Sequence, residues 1–211
     1  MTPGPRVVIA DSQALMAEAL EKLLAPECVM VGRVSDGHAL LEIVQAEHPD
    51  VAVIDVALPL LNGLEAGSQA KQIDRSLKIV VVTANEDPDL AAHAMRVCAS
   101  AFLLKRCAGA ELMKAIREVM QQRTYVTPLI AGGIVQSLMH APLGDKSAEQ
   151  LTSRQRQVLQ LLAEGKSMKE AGSILGITAR TVAFHKYRMM DQLKITTSAE
   201  LIRVAFQGHV V

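Results

Sequence analysis

The sequence predicts two domains of different class: a doubly wound α/β domain on a five-stranded parallel sheet, then a small all-α domain of four helices. Three observations carry this reading. Short β-branched runs alternate strictly with longer amphipathic stretches through residues 1–121, the pattern of strands joined by crossover helices. Two of the runs, Val51-Ala52-Val53-Ile54 and Ile79-Val80-Val81-Val82, are apolar at every position, as strands covered on both faces require. Beyond Leu151 the strand signal ends, and only helical periodicity punctuated by capping residues remains.

In chain order the strands fall at 6–10, 28–34, 51–55, 78–83 and 101–104, and the helices at 13–24, 37–47, 63–73, 88–97 and 109–121. Residues 122–149 read as a linker, with Thr127-Pro128, Gly132-Gly133, Ala141-Pro142 and one apolar stretch at 134–139 that suits a short helix. The division is therefore 1–121, 122–149 and 150–211. In the last part Thr152 and Ser153 are candidate N-caps, with Gln155 placed as the capping-box partner of Thr152. Val158, Leu159, Leu161 and Leu162 form the apolar face of that helix, and Gly165 ends it. A second helix over 168–175 stops at Gly176, Thr178 caps a third over 179–193, and Ser198 caps a fourth over 199–206. Two helices joined by a tight glycine-containing turn, the second longer and cationic, are the helix-turn-helix signature.

Composition narrows the function. The chain has 211 residues, half of them hydrophobic, with a mean hydropathy of +0.22, too apolar for disorder. No run approaches the ~18 apolar residues of a membrane span, and the N-terminus lacks the apolar stretch of a secretory signal. Three cysteines (Cys28, Cys98, Cys107) form no CxxC pair, which argues against a disulfide framework or structural zinc and for a cytoplasmic protein. They read as buried core residues or as redox sensors. Five aromatic residues are too few for a base-stacking platform. Residues 1–144 hold 12 Lys and Arg against 16 Asp and Glu, and residues 151–211 hold 9 against 4, so zero net charge hides an acidic front and a basic tail. A polyanion is the expected partner of the tail.

In a doubly wound sheet functional groups gather at the carboxyl ends of the strands. Four strands here end on Asp11, Asp55, Thr83 and Lys105. Two neighbouring carboxylates repel unless a hard cation lies between them, and Mg²⁺ accepts carboxylates, a carbonyl and waters while leaving room for phosphate. Lysine and threonine then bind the remaining phosphate oxygens, which completes a phosphoryl-transfer site with aspartate as acceptor. Taken singly, the same residues also read as helix caps, a β-former and a solvated charge.

These residues carry a resemblance. Residues 6–121 resemble the receiver domain of a bacterial two-component response regulator, through Asp11, the Val51–Asp55 run with Pro49 before it, Leu58-Pro59 with Asn62-Gly63-Leu64-Glu65, Thr83-Ala84, and Ala101-Phe102-Leu103-Leu104-Lys105. The resemblance implies a flavodoxin-like strand order 2-1-3-4-5. It implies that Asp55 accepts a phosphoryl group from a sensor histidine kinase, with Mg²⁺ held by Asp11, Asp55 and the carbonyl of Ala57. It makes Thr83 and Phe102 the switch pair and gives Lys105 to the phosphoryl group. One departure matters: the family's usual acidic pair is Asp11-Ser12 here. A carboxylate lost ~4 Å from a cation is worth ~1 to 4 kcal/mol, so Mg²⁺ should bind more weakly. The loop Leu58-Pro59-Leu60-Leu61 also differs from the commoner Met-Pro form.

The C-terminal part resembles a LuxR-type four-helix DNA-binding domain, through residues 151–167, Thr178-Ala179-Arg180-Thr181-Val182-Ala183-Phe184-His185 and the closing Leu193–Leu201 stretch. The two domains together resemble response regulators of the NarL/FixJ class. Helical spacing puts Val182, His185, Met189 and Leu193 on one inward face; His185 reads as structural. In the family's docking mode Ala183, Phe184 and Tyr187 face the floor of the major groove, and Lys169, Arg180 and Lys186 reach phosphates, with Thr181 and Arg188 alongside. The family often has basic residues where this chain has Ala183 and Tyr187, which points to apolar readout of bases. Phe184 and Tyr187 also read as internal or dimer contacts, and Leu201, Ile202 and Ala205 as a dimer contact or core.

The implied function is a DNA-binding transcription regulator, not an enzyme, switched by phosphorylation of Asp55 and active as a homodimer on double-stranded DNA, away from any membrane. A second reading keeps DNA binding and makes the first domain a pseudo-receiver controlled by dimerisation, a partner or a ligand. A third, an aspartyl-nucleophile phosphatase, wants a general acid two residues beyond Asp55, where Ala57 stands, and no glycine-rich phosphate loop follows the first strand.

Overall fold

The computed structural model describes residues 4–139 and 151–207, which fall into two compact units. The first is a parallel sheet in the order β2-β1-β3-β4-β5-β6. Its strands are β1 (Arg6–Ala10), β2 (Val29–Val34), β3 (Val51–Ile54), β4 (Lys78–Thr83), β5 (Ala101–Leu104) and β6 (Tyr125–Val126). The first five follow the expected order. The sheet has six strands rather than five, because β6 pairs with β5 through Tyr125↔Ala101 and Val126↔Phe102. A two-residue strand is too short to show a period of its own.

Alternate residues of the strands feed two cores. Val7, Ile9, Val51, Val53, Val80, Val82 and Leu103 pack with Leu20 and Leu24 of α1 (Ala14–Leu24) and Leu112, Ile116 and Val119 of α5 (Ala108–Met120). The other face carries α2 (Gly37–Glu47), α3 (Gly63–Ile73) and α4 (Pro88–Val97). The fully buried Val8, Ile54, Ile79, Val81 and Phe102 belong to that face by the two-residue strand period. At ~1.5–3 kcal/mol for each large apolar side chain fully buried, this double cover is what stabilises the sheet.

The segment expected as a linker contributes to this first unit. After β6 comes α6 (Pro128–Met139), twice the length of the stretch expected at 134–139, and it packs against α4. Pro128 sits at the helix start, where its missing N–H is not needed. A Cβ on Gly133 would lie 2.6 Å from Pro88 Cγ, so the second glycine of the pair that suggested a loop is what lets the two helices approach.

The second unit comprises α7 (Ser153–Ala163), α8 (Met168–Ile174), α9 (Ala179–Gln192) and α10 (Ser198–Gln207). Thr152 and Gln155 form the expected capping box on α7, and Thr178 caps α9. A further box, Ser167 with Glu170, starts α8. The cap of α10 is Thr197 rather than Ser198. Its hydroxyl accepts from Glu200 N at 3.2 Å while Glu200 Oε2 accepts from Thr197 N at 3.1 Å. The core is aliphatic: Val158, Leu159, Leu161, Ala171, Val182, Met189, Leu201 and Ala205. Leu201 and Ala205 thus complete it, and Ile202 lies half-exposed. Cys28 and Cys98 are buried and Cys107 half-buried; burial pushes the Cys98 thiol up to about 12. Among the described residues no helix is long and apolar enough to cross a membrane.

The turn between α8 and α9 depends on one close approach: a Cβ on Gly172 would lie 2.7 Å from the carbonyl oxygen of Ile177. Helix propensity alone favours Gly172→Ala by ~1 kcal/mol. The contact reverses the sign, and we expect the variant to lose ~1–3 kcal/mol in a urea titration of the helical unit's circular dichroism.

Candidate functional site

The strand ends of the first unit converge on one charged edge. Asp55 follows β3 and donates its N–H to the Ala10 carbonyl at 2.9 Å, while Asp11 follows β1 and donates to Val34 at 3.1 Å. Because β1 and β3 are neighbours, the two carboxylates lie together. Lys105 follows β5, with its N–H on the Thr83 carbonyl at 2.8 Å. Its Nζ stands 2.8 Å from Asp11 Oδ2 and 2.8 Å from Asp55 Oδ2, and the three side chains are only 8%, 2% and 6% exposed respectively. Burial pulls the ammonium's pKa down. Hydrogen bonding and charge from Asp11 and Asp55 outweigh it, so Lys105 titrates above the ordinary lysine range.

Other groups set this edge. Asp11 Oδ1 accepts the Gln13 N–H at 2.8 Å, and Gln13 Oε1 lies 3.4 Å from Lys105 Nζ. Gly63, first residue of α3, packs directly behind Asp55: a Cβ there would lie 1.9 Å from the Asp55 carbonyl oxygen. Thr83 is buried at the end of β4, its hydroxyl accepting from Asn85 N at 3.2 Å. Phe102 is fully buried within β5, and its carbonyl accepts from Thr127 N at 3.0 Å. Ala57 and Ser12 are both exposed.

The donors fit a hard cation. Asp11 Oδ2 is buried, and among the described residues its one partner is the Lys105 ammonium at 2.8 Å. The two neighbouring carboxylates offer oxygen ligands of the kind Mg²⁺ takes with waters. No group of three or more His, Cys, Asp or Glu side chains suited to a metal occurs among the described residues, so water would supply much of the coordination shell.

The second candidate surface is α9. Val182 and Met189 are fully buried and Leu193 packs on the same core, so the inward face is the expected one. Phe184 and Tyr187 point outward, 57% and 61% exposed, and do not pack inside the unit. Arg188 lies 5.9 Å from the Phe184 ring centre, and Lys186 5.7 Å from that of Tyr187. Arg180 and Lys169 are exposed, while Ala183, Lys186 and Thr181 are half-buried, with the Thr181 hydroxyl 2.9 Å from that of Thr178. His185 is half-buried; desolvation, then the charges of Arg154 and Arg188, lower its pKa.

Sequence reasoning missed Gln13 and Thr127. Thr127 is fully buried; its hydroxyl donates to Glu111 at 2.7 Å and accepts from Leu104 N at 3.4 Å. A polar residue between β-formers and a proline was the available signal. Gln13 gave none, since its role follows from the turn after Asp11.

Comparison with known proteins agrees with the two-domain architecture. Residues 7–117 match the response regulator receiver domain, and residues 149–205 match the luxR family of bacterial regulatory proteins. The transcriptional regulatory protein LiaR of Bacillus subtilis is 30% identical over 211 residues, covering 98% of this chain and 99% of LiaR. The probable transcriptional regulatory protein NarL of Mycobacterium tuberculosis is 28% identical over 210 residues, covering 98% and 95%. The RcsB response regulator of Salmonella typhimurium, solved in work on its DNA interaction, superposes with a TM-score of 0.65 at 21% identity over 96% of each chain.

Two expectations follow from the geometry. Lys105→Met leaves two buried carboxylates facing each other, and a broken buried pair costs ~3–5 kcal/mol; denaturant unfolding of the sheet unit at pH 7 should show that loss. For His185 the folded-state pKa lies below the unfolded value, so the unfolded chain takes up the proton first. Stability of the helical unit is then complete above the ordinary histidine range and falls as pH drops through it. Thermal unfolding between pH 8 and pH 5 should show this decline, and His185→Gln should flatten it.

Proposed function

This chain belongs to the bacterial response regulators that join a receiver domain to a LuxR-type DNA-binding domain, and on that premise we propose that it is a DNA-binding transcription regulator switched by phosphoryl transfer from a sensor histidine kinase to Asp55. The observation that carries the reading is the buried Lys105 ammonium shared by Asp11 and Asp55, 2.8 Å from each. An Asp55 carboxylate oxygen attacks the phosphorus of the kinase's phosphohistidine. The O–P bond forms as the P–N bond breaks, and the departing nitrogen keeps the electron pair.

Before transfer the three side chains sum to one negative charge. Receiver domains as a family bind Mg²⁺; here Asp11, Asp55 and the Ala57 carbonyl would hold it, and it would supply the positive charge that a phosphoryl donor needs. After transfer Asp55 is an acyl phosphate without its own carboxylate charge. Lys105 then pairs with a phosphoryl oxygen, and the Thr83 hydroxyl donates to another. Thr83 and Phe102 act as the switch pair, shifting the population of DNA-binding-competent dimers.

The boundaries we assign are a receiver over 1–121, a connecting segment over 122–149 that supplies β6 and α6, and a DNA-binding domain over 150–211. On double-stranded DNA α9 enters the major groove with Ala183, Phe184 and Tyr187 toward the bases. Lys169, Arg180, Thr181, Lys186 and Arg188 contact phosphates or the groove rim. The partners are DNA, a sensor kinase and a second copy, and the place of action is the cytoplasm. Ser12 favours a second reading, a pseudo-receiver that keeps DNA binding without phosphorylation. No observation favours the phosphatase.

Intact-mass measurement with a small acyl-phosphate donor and Mg²⁺ separates the two readings. We expect one phosphoryl adduct on the wild type, none on Asp55→Asn, and a rise in solution mass on phosphorylation. No adduct at any Mg²⁺ concentration would overturn the switch and leave the pseudo-receiver. Ser12→Asp restores a metal-facing carboxylate and should lower the half-saturating Mg²⁺ by at least ~5-fold, the equivalent of the ~1 kcal/mol lower bound for that charge.

A further inference from the structure

We infer that the DNA site is read through thymine methyl groups, with Phe184, Tyr187 and Ala183 covering C5-methyls on the major-groove floor and with no guanine-directed hydrogen bond at the centre of the contact. The inference rests on the DNA-binding reading above and names the base chemistry that the same surface recognises.

The solvent face of α9 is defined by what the core leaves uncovered. With Val182 and Met189 fully buried, Arg180, Phe184, Tyr187, Arg188 and Asp191 are exposed, spaced i, i+4, i+7, i+8 and i+11 on one stripe, with Ala179 and Gln192 exposed at the two ends of the helix. Its middle is two aromatic rings, 57% and 61% exposed. Half-buried Ala183, one turn before Tyr187 on the same margin, presents only a methyl and lets the helix backbone come close. The nearest amide and hydroxyl side chains are set off from the middle of the stripe: Gln192 lies beyond Asp191 with its Oε1 3.5 Å from Gln155 Nε2, and the Thr181 hydroxyl is paired with Thr178.

The cations are disposed around the rings rather than beyond them. The Arg188 guanidinium lies over Phe184 and the Lys186 ammonium over Tyr187, while both rings stay largely exposed. Arg180 starts the stripe, in the first turn of α9. Asp191 ends it, one turn beyond Tyr187, and its carboxylate repels phosphate. The N-terminal part of the helix, up to Tyr187, is therefore what enters the groove. The apolar group that base edges present there is the thymine methyl, and covering it removes ring surface from water on both sides.

The test uses the full chain after acyl-phosphate and Mg²⁺ treatment, with selection from a random duplex library at low salt. The enriched duplex is then resynthesised with each thymine in turn replaced by deoxyuridine, which lacks only the methyl group. We expect half-sites with thymines at the centre of the contact and about fourfold weaker binding for each essential methyl removed. Phe184→Ala and Tyr187→Ala, both at exposed positions, should each abolish the deoxyuridine effect at one thymine and leave the effect at the others. Half-sites built on central G·C pairs, or deoxyuridine duplexes bound as tightly as the parent, would overturn this inference while DNA binding stands. A shift in oligomeric state in the two variants with no change in methyl dependence would also overturn it, in favour of a protein contact. If no duplex is retained at low salt, the DNA-binding reading fails and takes this inference with it.

Discussion

A parallel sheet covered on both faces leaves its functional groups one place to gather, the edge where the strands end, and in this chain a single buried ammonium holds that edge together. Lys105 lies between Asp11 and Asp55 with 8% of its side chain exposed, so little solvent screens the attraction. The exposed pair Arg6–Glu47, at 43% and 47%, belongs to the class worth ~0–1 kcal/mol. The buried cluster differs in kind, because each charge there needs its partner. It also ties three strands that are distant in sequence: Asp11 after β1, Asp55 after β3 and Lys105 after β5. Backbone bonds from Asp55 to Ala10 and from Lys105 to Thr83 hold the strand ends level, and Gly63 lets α3 close directly behind Asp55.

The helical unit meets a different constraint. Its helices run from 7 to 14 residues, around or below the ~12–15 at which isolated helices become marginal in water. Each therefore has its first turn secured by a side chain: Thr152, Ser167 and Thr178 on α7, α8 and α9, and Thr197 on α10. The core is aliphatic throughout. The two aromatic residues of α9 are consequently not needed for packing, and this is why they stand on the surface.

How much was legible in the sequence follows from the same physics. Strands β1, β4 and β5 were read to the residue because apolar runs bounded by polar residues mark their ends. Asp11, Asp55, Thr83 and Lys105 were legible because each directly follows or ends such a run. The strand β6 was not, since two residues show no period, and α6 was shortened because Gly132-Gly133 reads as a loop until Pro88 is known to press on it. The run Thr196-Thr197-Ser198 offers three capping hydroxyls, and the position of Glu200 selects Thr197. The outward setting of Phe184 and Tyr187 was one of several open readings, and only the burial of Val182 and Met189 decides it.

A two-state switch that moves a population from 1:99 to 99:1 needs about 5.5 kcal/mol of differential interaction. One unit charge pair re-formed at 4 Å is worth about 4 kcal/mol at an effective dielectric of 20 and about 1 in bulk water. A surface pair is thus too weak to drive such a shift, whereas a buried pair such as Lys105 with Asp55 is of the right order. The edge's own hydrogen bonds determine where that energy acts. Lys105 N on the Thr83 carbonyl joins β5 to β4, and Thr127 N on the Phe102 carbonyl joins β5 to the segment that carries β6 and α6. The Thr127 hydroxyl, bonded to both Leu104 N and Glu111, fastens that segment at the residue before Lys105. Along the chain this segment leads to the second unit, and the residue to which its Thr127 is fastened, Leu104, is the immediate neighbour of Lys105 at the end of β5.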